Sequence, residues 1–162
     1  MRGLVILNNY PQNYNITSGC GKSPFKLVAF DEALRDAQIA DYNLVKISSI
    51  LPMQCQSASV EMLPPKGSML LTAFGSISSN KKGVRIASAV SVAVPENSGE
   101  VGVIMEYSGY CSAQYAEEQV RLMAVEAMKN RGRSVREVQS SAIECVCDGN
   151  GYTSVISAIC VW

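Results

Sequence analysis

Five strand-length segments rich in β-branched residues constrain this chain more than any other feature. They are SMLLTAFGSIS, VRIASAVSVAV, VGVIMEYS, SSAIECVCD and YTSVISAICVW, with PENSGE and DGNG among the separators. β-Branched and aromatic side chains suit a pleated surface, and clusters of Gly, Asn, Asp and Pro interrupt it. Strands that mostly follow one another without a helix form antiparallel or mixed sheets, whereas a doubly wound array needs a crossover helix at each step. The expected class is α+β, with helices packed on an outer face of the sheets.

Two helices complete the pattern. In SPFKLVAFDEALRDAQI, Ser23 serves as N-cap, Pro24 stands at the first helical position, and Phe30, Leu34 and Ala37 recur at helical spacing. In SAQYAEEQVRLMAVEAMKNRG, Ser112 caps the start, Glu117 and Glu118 come early, Lys129 and Arg131 late, and Gly132 closes the end. Val120, Met123, Ala124 and Ala127 form a stripe that belongs in the core.

A chain of 162 residues is one domain by size. Its net charge of zero carries no nucleic-acid footprint. The N-terminal apolar run LVIL is too short for a signal peptide or a membrane span, so a cytoplasmic location is expected, with no membrane partner. Histidine is absent, which excludes a Ser-His-Asp triad, a Cys-His dyad within the chain and any metal site that needs imidazole. The cysteines at 20, 55, 111, 145, 147 and 160 are irregularly spaced and read as reduced thiols rather than a disulfide framework, with Cys145 and Cys147 on one strand face.

Some motifs fail on inspection. SGCGKSP resembles the end of a phosphate loop, but Ile16 occupies the place of the required first glycine, and Pro24 stands where a dinucleotide fingerprint needs its third; a capped turn is the expectation. NIT at 15–17 matches a glycosylation acceptor but has no secretory context. Two acidic residues are less easily dismissed. In VGVIMEYSG, Val101, Val103, Met105 and Tyr107 share one face and leave Glu106 with Gly102 and Ile104 on the other. If buried, its raised pKa suits a general acid; the plainer alternative is a carboxylate facing solvent or paired with Lys or Arg. Glu144, in AIECVC, raises the same question with less support, and Asp31 sits inside the first helix.

The segment NLVKISSILP breaks an apolar run on two adjacent serines, Ser48 and Ser49. It is either a strand ending in a polar turn or a bond at which the Ser49 hydroxyl cuts its own chain. NLVKISSILP, the upstream AFDEAL, and the later PKGSMLLTAFG and SAVSVAVPENSGEVGVIMEYSGYCS resemble the pyruvoyl-dependent arginine decarboxylases. The likeness runs from about Ser23 to Trp162, while the segment before Ser23 and the loop at Met53 and Cys55 depart from the pattern.

The resemblance implies cleavage between Ser48 and Ser49 into a β chain of residues 1–48 and an α chain of residues 49–162, with Ser49 converted to a covalent pyruvoyl group. That group would form a Schiff base with L-arginine and yield agmatine and carbon dioxide. Glu106 matches the family's proton donor in MEY, and Asp31 matches the aspartate that takes the guanidinium, with Leu27 as an apolar wall. The cleaved amide resists attack through its resonance, so the site must strain the turn or stabilise the oxyanion, and Asn43 is a candidate donor. The family's fold is an αββα sandwich, and its members form homotrimers, sometimes hexamers, with active sites between subunits. Two other readings stand beside this one: an uncleaved, non-enzymatic relative that binds an amine or amino acid, and a decarboxylase for another cationic amino acid.

Overall fold

The computed structural model describes residues 10–162, so the LVIL segment lies outside the described residues. The elements in chain order are β1 (Asn13–Ser23), α1 (Lys26–Asp36), β2 (Asn43–Lys46), β3 (Ile50–Leu51), β4 (Gln56–Ser57), β5 (Met69–Ser79), β6 (Arg85–Pro95), β7 (Gly102–Gly109), α2 (Ala113–Asn130), β8 (Val135–Val146) and β9 (Tyr152–Val161). They form a five-stranded sheet in the order β2-β5-β9-β1-β4 and a four-stranded sheet in the order β3-β7-β6-β8. The first is mixed, because β2 runs parallel to β5 and β4 parallel to β1. The second is antiparallel throughout.

The layers follow from the alternation of side chains along each strand. Ala73, Ile159 and Val161 from one sheet meet Val90, Val92 and Ile104 from the other, closed by Tyr14 and Leu51. The opposite faces receive the helices. Ala33, Leu34 and Ala37 of α1 pack on Leu70, Ile156, Ala158 and Cys160, while Ala116, Val120, Ala124 and Met128 of α2 cover Ala87, Ala89, Ala93 and Val103. The result is an αββα sandwich, as expected. No helix among the described residues is long and apolar enough to cross a membrane.

Two local expectations change. SGCGKSP is not a capped turn: it is the second half of β1, paired with β9 from Gly19↔Ile156 to Ser23↔Tyr152. Its glycines serve packing, since a Cβ on Gly21 would lie 2.3 Å from Ala33 N and 2.4 Å from Ala29 O. Helix α1 therefore rests directly on the β1 backbone. It begins at Lys26 rather than Pro24, and the Ser23 hydroxyl accepts the Phe25 N–H at 3.2 Å in the turn before it. Helix α2 starts as expected, with Ser112 Oγ accepting the Tyr115 N–H, and Gly132 just beyond its end adopts φ 66°.

The thiol expectation is corrected at one pair. Cys20 on β1 and Cys145 on β8 face each other across the inter-sheet space and are disulfide-bonded. Cys147, just past β8, shares their apolar cluster, and Cys55, Cys111, Cys147 and Cys160 are free.

Candidate active site

The Ser-Ser pair lies where the chain passes from one sheet to the other. Strand β2 pairs with β5 through Lys46↔Thr72, and the Ile47 N–H extends that ladder to Thr72 O at 3.1 Å. Three residues later Ile50 pairs with Val103 in the opposite sheet. Packed sheets lie about 10 Å apart, so Ser48 and Ser49 must cross the gap with almost no slack. Ser48 is exposed and Ser49 half-buried.

Two backbone donors hold this crossing. The Ile50 N–H donates to Ser48 O at 3.0 Å, and the Ile104 N–H donates to Ser49 O at 2.9 Å. Neither serine has a positive φ or a cis peptide bond, so the turn is not strained in that sense. The Ser48 carbonyl, which a Ser49 hydroxyl would attack, is instead polarised by a donor from its own chain.

Glu106 lies two residues beyond Ile104 on β7, in the register Val90↔Glu106, with its side chain turned into the inter-sheet layer beside Ser108. A glycine on the facing strand makes room for it: a Cβ on Gly75 would come within 2.7 Å of Ser108 Oγ and 3.5 Å of Glu106 Cβ. Lys46 Nζ is 3.8 Å from Glu106 Oε1. Glu106 Oε2 is buried and has no hydrogen-bond partner among the described residues. Burial raises the carboxyl pKa above the usual glutamate value, and Lys46 partly opposes that rise.

Lys46 was not singled out by sequence reasoning. The signal was its place in NLVKISS: residues two apart on an extended chain share a side, so Lys46 and Ser48 belong together. It sits on an edge strand, and its ammonium lies 4.7 Å from the centroid of Phe74, which in turn packs on Phe30 of α1.

The remaining candidates lie elsewhere in the single chain. Asn43 opens β2, at the end remote from Ser48, and its Nδ2 donates to Gly67 O at 2.9 Å. Asp31 and Leu27 are exposed one helical turn apart on α1, on the outer side of the five-stranded sheet. Glu144 has a structural role: its Oε2 accepts the Ala113 N–H at the start of α2, and Arg85 lies 3.5 Å from Oε1. Five surface clefts of about 400–550 Å³ among the described residues are lined by none of Ser48, Ser49, Glu106, Asp31 or Leu27.

A family model described as pyruvoyl-dependent arginine decarboxylase matches residues 13–162. A protein of Methanocaldococcus jannaschii named pyruvoyl-dependent arginine decarboxylase is 36% identical over 149 residues, covering 92% of this chain and 90% of that one. Namesakes from Methanococcus aeolicus and Thermococcus kodakarensis are 38% and 36% identical, covering 94% and 83% of this chain and 90% and 85% of theirs.

Proposed function

The chain belongs to the pyruvoyl-dependent arginine decarboxylases, and from that premise we propose that it removes carbon dioxide from L-arginine to leave agmatine, using a pyruvoyl group made from its own Ser49. The observation that carries this reading is the crossing itself, a Ser-Ser bond held between two sheets and hydrogen-bonded to the strand that bears Glu106.

The residues present suit that group. Ser49 O is held by the Ile104 N–H, which would anchor the pyruvoyl amide carbonyl after cleavage, and the unpaired Glu106 Oε2 lies on the same strand. In processing, Ser49 Oγ attacks the Ser48 carbonyl carbon, whose oxygen already accepts the Ile50 N–H. The Ser48–Ser49 C–N bond breaks as an ester C–O bond forms, freeing the Ser49 amine. Loss of the Ser49 α-proton then expels the Ser48 carboxylate, and hydrolysis of the resulting dehydroalanine releases ammonia. The products are residues 1–48 and 49–162.

A pyruvoyl carbonyl supplies an electron acceptor for an α-amino acid as carbon dioxide leaves. Glu106 holds a proton in its half-dry setting and delivers it from Oε2 to the substrate α-carbon. Asp31 accepts the guanidinium in bidentate fashion, with Leu27 beside it. Within one copy Asp31 and Glu106 lie on opposite faces of the five-stranded sheet, so the complete pocket joins two copies of a trimer. Exposed apolar residues support such contacts on both segments, Phe25, Leu27 and Val28 on one side and Val45, Ile50 and Met53 on the other. Of the two Asn43 Nδ2 hydrogens Gly67 O takes one, and the second serves a neighbouring copy's scissile carbonyl. The location is cytoplasmic.

Carbon dioxide release is measured from arginine, lysine, ornithine, histidine and aspartate. Arginine is the expected best substrate, and preference for aspartate or a neutral amino acid contradicts the Asp31 assignment.

A further inference from the structure

We infer that Lys46 is a positioning residue for Glu106: its ammonium holds Oε1 and thereby assigns the transferable proton to Oε2. The inference rests on the arginine decarboxylase reading of the site.

A lysine on an edge strand would ordinarily extend into water. This one, though more than half exposed, lies between two partners, Glu106 Oε1 at 3.8 Å and the Phe74 ring at 4.7 Å, and Phe30 backs the ring with a centroid separation of 6.4 Å. The electron-rich ring face and the carboxylate both attract the ammonium, so both favour this placement of it. The pair also makes the two carboxyl oxygens unequal. Protonating Oε1 would place a proton against a cation, while Oε2 is buried with no partner among the described residues. The acid form therefore carries its proton on Oε2.

Among the described residues of one copy, the other groups facing Glu106 are uncharged. Strand β6 presents Val90 and Ser88, β7 presents Ser108, and β5 presents Gly75, with Ser108 Oγ donating to Ser88 Oγ and Ser88 Oγ to Gly75 O. From β2 comes Lys46 alone. Burial works against the Glu106 charge, and Lys46 is the opposing influence. Processing adds one charge nearby, the new α-carboxylate of Ser48, two residues beyond Lys46.

The test begins with uncleaved Ser49→Ala protein, so that processing does not complicate it. Glutamate labelled at its side-chain carboxyl is titrated by NMR, with Glu106 identified by the signal lost in Glu106→Gln. Lys46→Met should move the Glu106 midpoint upward by about one pH unit, the lower end of the effect of an opposite charge at this range. Lys46→Arg should return it to near the parent value. In the processed enzyme the alkaline limb of kcat should move upward in Lys46→Met in the same way. An unchanged midpoint in folded Lys46→Met, or equal shifts in the Met and Arg variants, overturns the inference. If the midpoint shifts but wild-type protein is neither cleaved nor active on arginine, the ion pair stands and the functional reading fails.

Discussion

Ile104 donates its backbone N–H to the carbonyl of Ser49 at 2.9 Å, which ties the scissile turn to the strand that places Glu106 two residues later. The bond does not depend on the cleaved amide. On the proposed cleavage the Ser49 carbonyl would stay on the α chain, so the contact that positions the turn before processing would also position the pyruvoyl end afterwards.

Glu106→Gln should permit cleavage yet lower turnover by about a hundredfold or more, the usual scale for losing a general acid. Burial lets Glu106 keep its proton to higher pH than an ordinary glutamate, and under the proposed mechanism activity requires that proton. Wild-type turnover should therefore fall as pH rises through the raised pKa, and the residual activity of Glu106→Gln should lack that limb. A pH–rate profile of both processed proteins checks this.

Asp31→Asn should weaken kcat/KM for arginine by about 1–3 kcal/mol, the range for a charge-assisted hydrogen bond, with processing intact. A sharper test addresses where the pocket forms. Co-expression of Asp31→Ala with Glu106→Gln should restore about a quarter of the wild-type sites if copies mix at random in a closed ring and each site takes one residue from each neighbour. A site contained within one copy would show no restoration in the arginine assay.

Gly21→Ala should destabilise the fold by about 1–3 kcal/mol or prevent it, because the added methyl meets the backbone of α1 rather than a flexible side chain. Urea unfolding of the Ser49→Ala protein with and without this change gives the difference.

The sandwich was legible because strands β5, β6, β7 and β9 are apolar and β-branched and α2 carries a matched set of caps. Strand β1 was hidden. Its sequence NYNITSGCGKS is polar and glycine-bearing because one face meets the serine-lined middle of the sandwich, where Ser18 bonds Ser141 and Ser157, and the other lets α1 approach. The face on which Glu106 lies followed from alternation, but the Lys46 pair did not, since β2 and β7 belong to different sheets. The Cys20–Cys145 bond escaped notice for the same reason: it joins two sheets through residues 125 apart.

That disulfide connects the segment before the proposed cleavage bond to the segment after it, so residues 1–48 and 49–162 should remain joined until it is reduced. Intact mass of the purified protein under denaturing conditions, with and without reductant, is the decisive measurement. The expected result is a single linked species that reduction separates into 1–48 and 49–162, the latter blocked at its N-terminus and lighter by one ammonia than the peptide beginning with Ser49. Full-length 162-residue chain after prolonged incubation, or a cut at any other bond, would contradict the assignment of Ser49 as the source of the pyruvoyl group.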